Sequence, residues 1–211
     1  MSALKGVTFA GPAGRLEGLW KAATPPRRGG AVFAHPHPLH GGTLHNKVVY
    51  RCARALTAAG WETLRLNFRG VGLSQGRYDA GRGETEDFRA ALDEVERQAG
   101  LPIVAGGFSF GSAVALRAIA GDRRVAAYLG LGLPVATDSL VATPRPEVPA
   151  LFVVGELDTF GPLARLRDFV ADSGEIVVIA GADHFFEGKL DRLEEAIAAF
   201  VARQPGPAEA G

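Results

Sequence analysis

The segment IVAGGFSFGSAVALRAIA, residues 103–120, decides the fold of this chain. It opens with IVAGGF, a strand pattern, and continues into GSAVALRAIA, a helix pattern. GFSFG, from Gly107 to Gly111, lies at the junction and fits G-x-S-x-G. A serine on so tight a turn has strained backbone geometry, and side chains two residues before and after it would clash. We therefore predict that Ser109 projects above a sheet at a helix N-terminus, where the dipole favours developing negative charge. The alternative is a tight turn with a buried serine.

Short apolar runs alternate with longer amphipathic segments on both sides of this turn. Several of the strands are continuous apolar runs, which is typical of strands that are covered on both faces. Strands that alternate with helices imply βαβ units and a mostly parallel sheet. GVTFA and RLEGLWKA flank the turn-like GPAG and predict an N-terminal antiparallel hairpin. We predict one α/β domain over residues 1–204, with helices on both faces of the sheet, and a disordered tail over residues 205–211.

Composition narrows the classes of function. The 211 residues fit a single domain, and acidic and basic side chains balance at a net charge of zero. Nothing therefore favours binding to nucleic acid or to an anionic membrane. Neither a signal peptide nor an apolar run long enough to span a bilayer is recognisable. Cys52 is the only cysteine, which excludes an internal disulfide and suits a reducing, cytoplasmic location. We expect it to be a small buried hydrophobe and not a nucleophile. The sequence leaves a homodimer open.

A serine hydroxyl needs a base to become a nucleophile, and that base needs an acid to hold its tautomer. In this topology the chain order is serine, acid, histidine. His184, in GADHFF after the strand EIVVIA, is the only histidine beyond Ser109. The preceding strand, in ALFVVGELD, ends with two candidate acids, Glu156 and Asp158. All these groups should meet at the carboxyl ends of the strands. The alternatives are a capped core histidine at position 184 and a helix N-cap at position 158.

Five motifs together resemble the α/β-hydrolase superfamily: GFSFGS, VVGELDTFGP, GADHFF, NFRGVGLSQG and HPHPLHGG. More narrowly, the chain is similar to small bacterial hydrolases related to dienelactone hydrolases and carboxylesterases, from about Val32 to the last helix. The resemblance implies Ser109 as nucleophile, Asp158 as acid and His184 as base. True dienelactone hydrolases use cysteine at the nucleophile position, so dienelactone itself is not the expected substrate. Many relatives insert a lid domain at residues 133–149. That stretch is short here, so we expect no lid and an open site that favours short acyl chains.

The stretch FAHPHPLHGGTLHNK, residues 33–47, holds four of the five histidines and follows the third strand. In this fold the loop there supplies one backbone donor of the oxyanion hole, and the residue after the nucleophile, Phe110, supplies the other. Pro36 and Pro38 have no N–H group. The resemblance aligns His37 with the donor position, and Leu39 is the second choice.

Two ligand-binding alternatives remain for the loops. His-x-His-x-x-His, from His35 to His40, could bind zinc, but no Asp, Glu or Cys lies in the stretch, and we predict no metal there. GVGLSQG resembles a dinucleotide-binding loop, but its third glycine comes one position late, and we predict no cofactor. We expect this loop to border the active site instead.

The predicted function is cofactor-free hydrolysis of small-molecule carboxylic esters through a Ser-His-Asp triad and an acyl-enzyme. A thioesterase or an acyltransferase would use the same Ser109. A non-catalytic ligand receptor on the same scaffold is the alternative from a different class.

Overall fold

The structure is a computed structural model that describes residues 4–137 and 143–206. The strands are β1 (Leu4–Gly11), β2 (Gly14–Lys21), β3 (Gly29–Ala34), β4 (Trp61–Asn67), β5 (Ile103–Phe108), β6 (Val125–Leu131), β7 (Ala150–Gly155) and β8 (Glu175–Ile179). The helices are α1 (Lys47–Ala58), α2 (Arg82–Ala99), α3 (Phe110–Ala118), α4 (Leu163–Val170) and α5 (Leu190–Ala202). A short 3-10 helix spans Pro38–His40. The tail predicted from residue 205 lies, from residue 207 onward, outside the described residues.

The strands form one sheet in the order β1-β2-β4-β3-β5-β6-β7-β8. All pairs from β4 to β8 are parallel, whereas β1 pairs with β2 and β2 pairs with β4 in antiparallel fashion. Strands β3, β5 and β7 are buried at every residue, as their continuous apolar runs indicate. The predicted mostly parallel sheet with an N-terminal antiparallel hairpin is therefore confirmed.

Helices cover both faces of the sheet. Apolar side chains of α2, α3 and α4 pack on one face, and those of α1 and α5 pack on the other. Cys52 of α1 is fully buried in the second layer, and burial raises the pKa of its thiol, so it acts as a small hydrophobe. No helix in the described ranges is both long enough and apolar enough to cross a bilayer.

The sequence Thr85, Glu86, Asp87 predicts a helix start at Thr85, since acidic groups favour a helix N-terminus, but α2 begins three residues earlier. Its N-cap is Gly81, and the first helical residue is Arg82. The buried carboxylate of Glu84 accepts hydrogen bonds from the N–H groups of Gly81, at 2.7 Å, and of Asp79, at 2.8 Å. Because this carboxylate satisfies free donors at the helix start, the first turn forms ahead of Thr85.

Backbone N–H groups in the loop between β4 and α2 donate hydrogen bonds to acceptors within the protein. Asp87, which the sequence placed at the helix start, instead accepts from the backbone N–H and the guanidinium of Arg69. The carboxylate of Glu17 accepts from the N–H of Leu73 at 2.8 Å. Further amides, those of Gly70, Val71, Ser74 and Gln75, donate to backbone carbonyls. Most backbone N–H groups of GVGLSQG therefore already donate to protein acceptors, which opposes the dinucleotide-binding alternative for this loop.

The turn between β5 and α3 depends on two glycines. Ser109, at the N-cap of α3, has φ 53° and ψ −121°, which is the strained geometry expected for this position. A Cβ atom added to Gly107 would lie 2.3 Å from the carbonyl carbon of Gly111. A Cβ atom added to Gly111 would lie 2.4 Å from the carbonyl oxygen of His35 and 2.8 Å from that of Ala34. The first turn of α3 therefore packs directly on the backbone at the end of β3.

Replacing Gly111 with Ala should destabilise the fold. The new methyl group would meet two backbone carbonyl oxygens, which cannot rotate away, so we expect a loss of about 1–3 kcal/mol in the free energy of unfolding. Urea denaturation measures it. The matched control is Gly6→Ala in β1, where an added Cβ atom meets nothing within 4 Å and the change should stay within about 0.5 kcal/mol. Equal stability of the two variants would contradict the close approach described here.

Candidate active site

The structure brings the three predicted site side chains into one hydrogen-bonded chain. Ser109 follows β5, Asp158 lies just after β7, and His184 lies after β8, so all three stand at the carboxyl ends of parallel strands. His184 Nε2 lies 2.9 Å from Ser109 Oγ. His184 Nδ1 lies 2.8 Å from Asp158 Oδ2. These distances allow proton transfer between serine and imidazole and orientation of the imidazole by the carboxylate.

The hydrogen bonds of Asp158 set the tautomer of His184. An ionised carboxylate can only accept, so Nδ1 carries the imidazole proton and Nε2 presents its lone pair to the serine hydroxyl. Oδ1 of the same carboxylate accepts from the N–H groups of Phe160, at 2.8 Å, and Gly161, at 2.9 Å. Asp158 and His184 are both buried. Backbone donors therefore fix one oxygen of the carboxylate, and the other oxygen holds the imidazole.

The second candidate acid, Glu156, points elsewhere. Its Oε2 accepts from the N–H of Gly181 at 2.8 Å, and its side chain is exposed. The N-cap of α4 is Pro162, so Asp158 does not cap that helix directly. Asp158, and not Glu156, contacts the imidazole of His184.

Backbone donors for an oxyanion are available beside Ser109. Over residues 4–137 and 143–206, the N–H groups of His37 and Phe110 donate to no protein acceptor. The N–H of Leu39, the second choice, is used by Nδ1 of the His37 ring at 3.2 Å. The close packing of Gly111 on the His35 carbonyl brings this loop against the serine turn. Donation by His37 and Phe110 to an oxyanion stays a prediction.

The buried side chain of His35 fixes the loop that follows β3. Its ring is fully buried, Nε2 accepts from the N–H of Phe68 at 3.1 Å, and Nδ1 lies 2.6 Å from the carbonyl oxygen of Pro36. Nδ1 therefore carries the proton and Nε2 does not. Burial is the main cause that lowers the pKa of His35 to about 4. The sequence does not indicate this role, because the partner Phe68 lies 33 residues away in the chain, directly after β4.

The side chain of His37 holds the outer side of the same loop, the one that follows β3. Its Nδ1 accepts from Leu39, and its Nε2 lies 3.0 Å from the hydroxyl of Tyr78. Its ring stacks on His40, with centroids 4.5 Å apart, and packs on Phe110 at 4.9 Å. Burial lowers the pKa of His37, with the neighbouring His40 as a smaller cause. A neutral ring with its proton on Nε2 fits all of these contacts.

Two of the clustered histidines, His35 and His37, therefore have hydrogen-bond partners within the protein for their rings. Both ring nitrogens of His35 and of His37 contact protein atoms, which opposes the zinc alternative. In the part of the chain that the structure describes, no group of three or more His, Cys, Asp or Glu side chains could hold a metal ion.

Three phenylalanine rings surround the imidazole of His184. Ring centroids lie 5.1 Å away for Phe108, 4.6 Å for Phe160 and 5.3 Å for Phe185. The last two side chains are exposed at the surface. Sequence reasoning did not single them out, although Phe160 stands two residues after Asp158 and Phe185 directly follows His184. With these rings packed around it, the side chain of His184 is buried.

Comparisons with known proteins bear on the family and the fold of this chain. Residues 37–132 match the family model described as serine aminopeptidase, S33. An uncharacterized protein of Rickettsia prowazekii is 36% identical over 208 residues, which cover 90% of this chain and 86% of that protein. The solved structure of an α/β serine hydrolase homologue from Coxiella burnetii is 38% identical, with a TM-score of 0.87 over 92% of this chain and 96% of that one.

A fold and a sequence shared over nearly the whole chain define the class: this chain belongs to the α/β serine hydrolases. Within that class it is similar to a member from Xanthomonas campestris that is described as having no lid. That protein is 31% identical, with a TM-score of 0.87 over 95% of this chain and 94% of that one. The resemblance to the superfamily that the motifs indicated is confirmed.

The stability of the protein should fall between pH 6.5 and pH 4 through His35. The pKa of His35 is about 4 in the folded state, below the ordinary value of 6.5, so the unfolded state binds the proton first. Its contribution to stability is complete above pH 6.5 and is lost as the pH falls towards 4. The shift corresponds to on the order of 3 kcal/mol.

Urea unfolding at several pH values measures this loss, and His35→Gln is the comparison. The glutamine variant should be less stable than the wild type at pH 8, yet lose less stability between pH 7 and pH 4. Parallel pH curves for the two proteins would contradict the buried, neutral state of His35.

Proposed function

We propose that the protein hydrolyses carboxylic esters with Ser109 as nucleophile, His184 as general base and Asp158 as the acid that orients it. The observation that carries this proposal is the unbroken chain of hydrogen bonds from Ser109 Oγ through His184 to Asp158, at 2.9 Å and 2.8 Å. Membership of the α/β serine hydrolases supports it further. The class of ester is inferred from the site and from the motifs.

In the first step, Ser109 Oγ attacks the ester carbonyl carbon while its proton moves to His184 Nε2. The carbonyl oxygen becomes an oxyanion that the N–H groups of His37 and Phe110 stabilise, and the N-terminus of α3 adds a favourable dipole. Asp158 stabilises the imidazolium through Nδ1. No residue has to move far, because the acceptors and donors are already fixed.

In the second step, the proton on His184 Nε2 passes to the leaving oxygen as the carbon–oxygen bond breaks, which releases the alcohol and leaves an acyl group on Ser109. Water then enters, His184 takes its proton, and the resulting attack releases the carboxylic acid. The serine recovers its proton from the imidazolium. This cycle requires only side chains and amides of this chain and a water molecule.

The site should be open and should accept small substrates. The connection between β6 and β7 spans residues 132–149, of which residues 138–142 lie outside the described residues, and it is too short for a lid domain. The lidless relative from Xanthomonas campestris supports the same view. We therefore propose short acyl chains and no activation at lipid interfaces, which a panel of esters, thioesters and peptides would test.

Asp158→Asn should lower kcat for p-nitrophenyl acetate by about 10⁴-fold, because the amide cannot hold the imidazole in the tautomer that accepts the serine proton. Glu156→Gln is the matched control, since this carboxylate bonds only to a backbone amide, and its kcat should change by less than about threefold. Steady-state kinetics on both variants measure the difference. A larger loss in the glutamine variant would assign the acid to Glu156.

Ser109→Ala should reduce turnover to the level of the uncatalysed reaction plus a residual from the oxyanion donors, a loss of at least about 10³-fold. A fluorophosphonate probe gives an independent readout, because it labels an activated serine without turnover. We expect labelling of the wild type at Ser109 and none of the variant. A folded wild-type protein that resists labelling would favour the non-catalytic receptor.

A further inference from the structure

Two large aromatic side chains are exposed directly beside the imidazole of His184. Phe160 is 46% exposed and Phe185 is 56% exposed. The two residues come from different loops, one after β7 and one after β8, yet both rings contact the same imidazole. The proposed hydrolysis requires neither ring. Exposed apolar groups that converge on a reactive side chain indicate a binding surface.

The position of Phe160 is set by the site itself. Its backbone N–H donates to Asp158 Oδ1 at 2.8 Å, so the carboxylate that holds His184 also holds the backbone of Phe160. The ring of Phe160 then lies 4.6 Å from the imidazole at an interplanar angle of 43°. The backbone that carries this ring is therefore held by the same carboxylate that holds the imidazole.

A strained turn fixes the position of Phe185. Asp183 Oδ1 accepts from the N–H groups of Phe185, at 3.0 Å, and of Glu187, at 3.1 Å. Between them, Phe186 has φ 54°, which is uncommon for any residue with a side chain. Phe186 is fully buried, whereas its neighbour Phe185 points outward. Strain of this kind is concentrated at functional sites, and here it keeps one ring at the surface beside His184.

The geometry of ester cleavage determines which part of the substrate meets these rings. The carbonyl oxygen must face the amides of His37 and Phe110, and the leaving oxygen must face His184 Nε2 to receive its proton. The group attached to the leaving oxygen therefore lies against the imidazole and its flanking rings. The acyl group extends away from them.

We infer that Phe160 and Phe185 form the binding site for the alcohol portion of the substrate, and that this alcohol carries an aromatic group. The inference rests on the proposed ester hydrolysis and adds the class of leaving group to it. Phe160 is tilted by 43° against the imidazole and Phe185 lies edge-on to it at 83°. Two exposed rings suit edge-to-face and offset contacts with a third ring, which a small aliphatic alcohol cannot make.

The test compares benzyl acetate with ethyl acetate, which share the acyl group and differ in the alcohol. The wild type should prefer the benzyl ester by about tenfold or more in kcat/KM, and the double variant Phe160→Ala, Phe185→Ala should lose most of that preference. Methyl butanoate and methyl acetate differ only in the acyl group. The ratio of their kcat/KM values in the double variant should therefore stay within about twofold of the wild-type ratio.

The control variant is Leu4→Ala, an exposed apolar side chain on β1 at the opposite edge of the sheet, which should leave the benzyl preference unchanged. Phe160→Leu, Phe185→Leu keeps apolar volume without the rings and guards against misfolding of the alanine variant. Its circular dichroism spectrum and urea midpoint should match those of the wild type, and it should lose the preference for the benzyl ester.

A readout without turnover separates this inference from the proposed function. Benzyl alcohol titrated into the Ser109→Ala variant should shift NMR signals of the loops at residues 158–161 and 183–187, and the alanine substitutions at both phenylalanines should remove these shifts. Absence of the shifts, or an unchanged benzyl preference in the double variant, would overturn the inference. If the wild type showed no Ser109-dependent hydrolysis of any ester, while benzyl alcohol still shifted the signals of these loops, the proposed function alone would be overturned.

Discussion

The close packing of α3 on the end of β3 is the constraint on which the site depends. The missing side chain of Gly111 lets the helix start lie against the carbonyl oxygens of Ala34 and His35. This contact joins the turn that presents Ser109 to the loop that presents the His37 amide. Ser109 and the His37 amide, the proposed nucleophile and oxyanion donor, are therefore brought together by one backbone contact, and the parallel pairing of β3 with β5 keeps that contact in register.

A second point of organisation is the carboxylate of Asp158. One of its oxygens orients His184, and the other accepts two amides of its own loop. A buried carboxylate is costly unless its lone pairs are satisfied, and here three donors satisfy them. The same bonds that make its burial tolerable also connect His184 to the surface loop of Phe160 through one carboxylate.

The sequence predicts the sheet, the serine turn and the three polar residues, because these follow from periodicity, steric limits at glycine and chain order. It misplaces the start of α2, since the acceptor that caps the helix is a buried Glu84 inside its first turn. It also leaves the role of His35 open, because that role depends on the amide of Phe68, which is 33 residues away in the chain. Phe160 and Phe185 escape detection for a related reason. An aromatic residue beside a motif usually enters the core, as Phe186 does, and only the strained turn shows which of the two neighbours is exposed.

Asp158 contacts the backbone of Phe160 and not its ring, and this separation has an evolutionary consequence. A substitution at position 160 changes the surface that meets a ligand while the amide continues to hold the carboxylate. Position 185 is similar, since Asp183 binds its amide. Positions 160 and 185 can thus change side chain while Asp158 and Asp183 keep their hydrogen bonds to the backbone. In the proposed alcohol site, single exchanges at these two positions would change the range of substrates and leave the proposed triad intact.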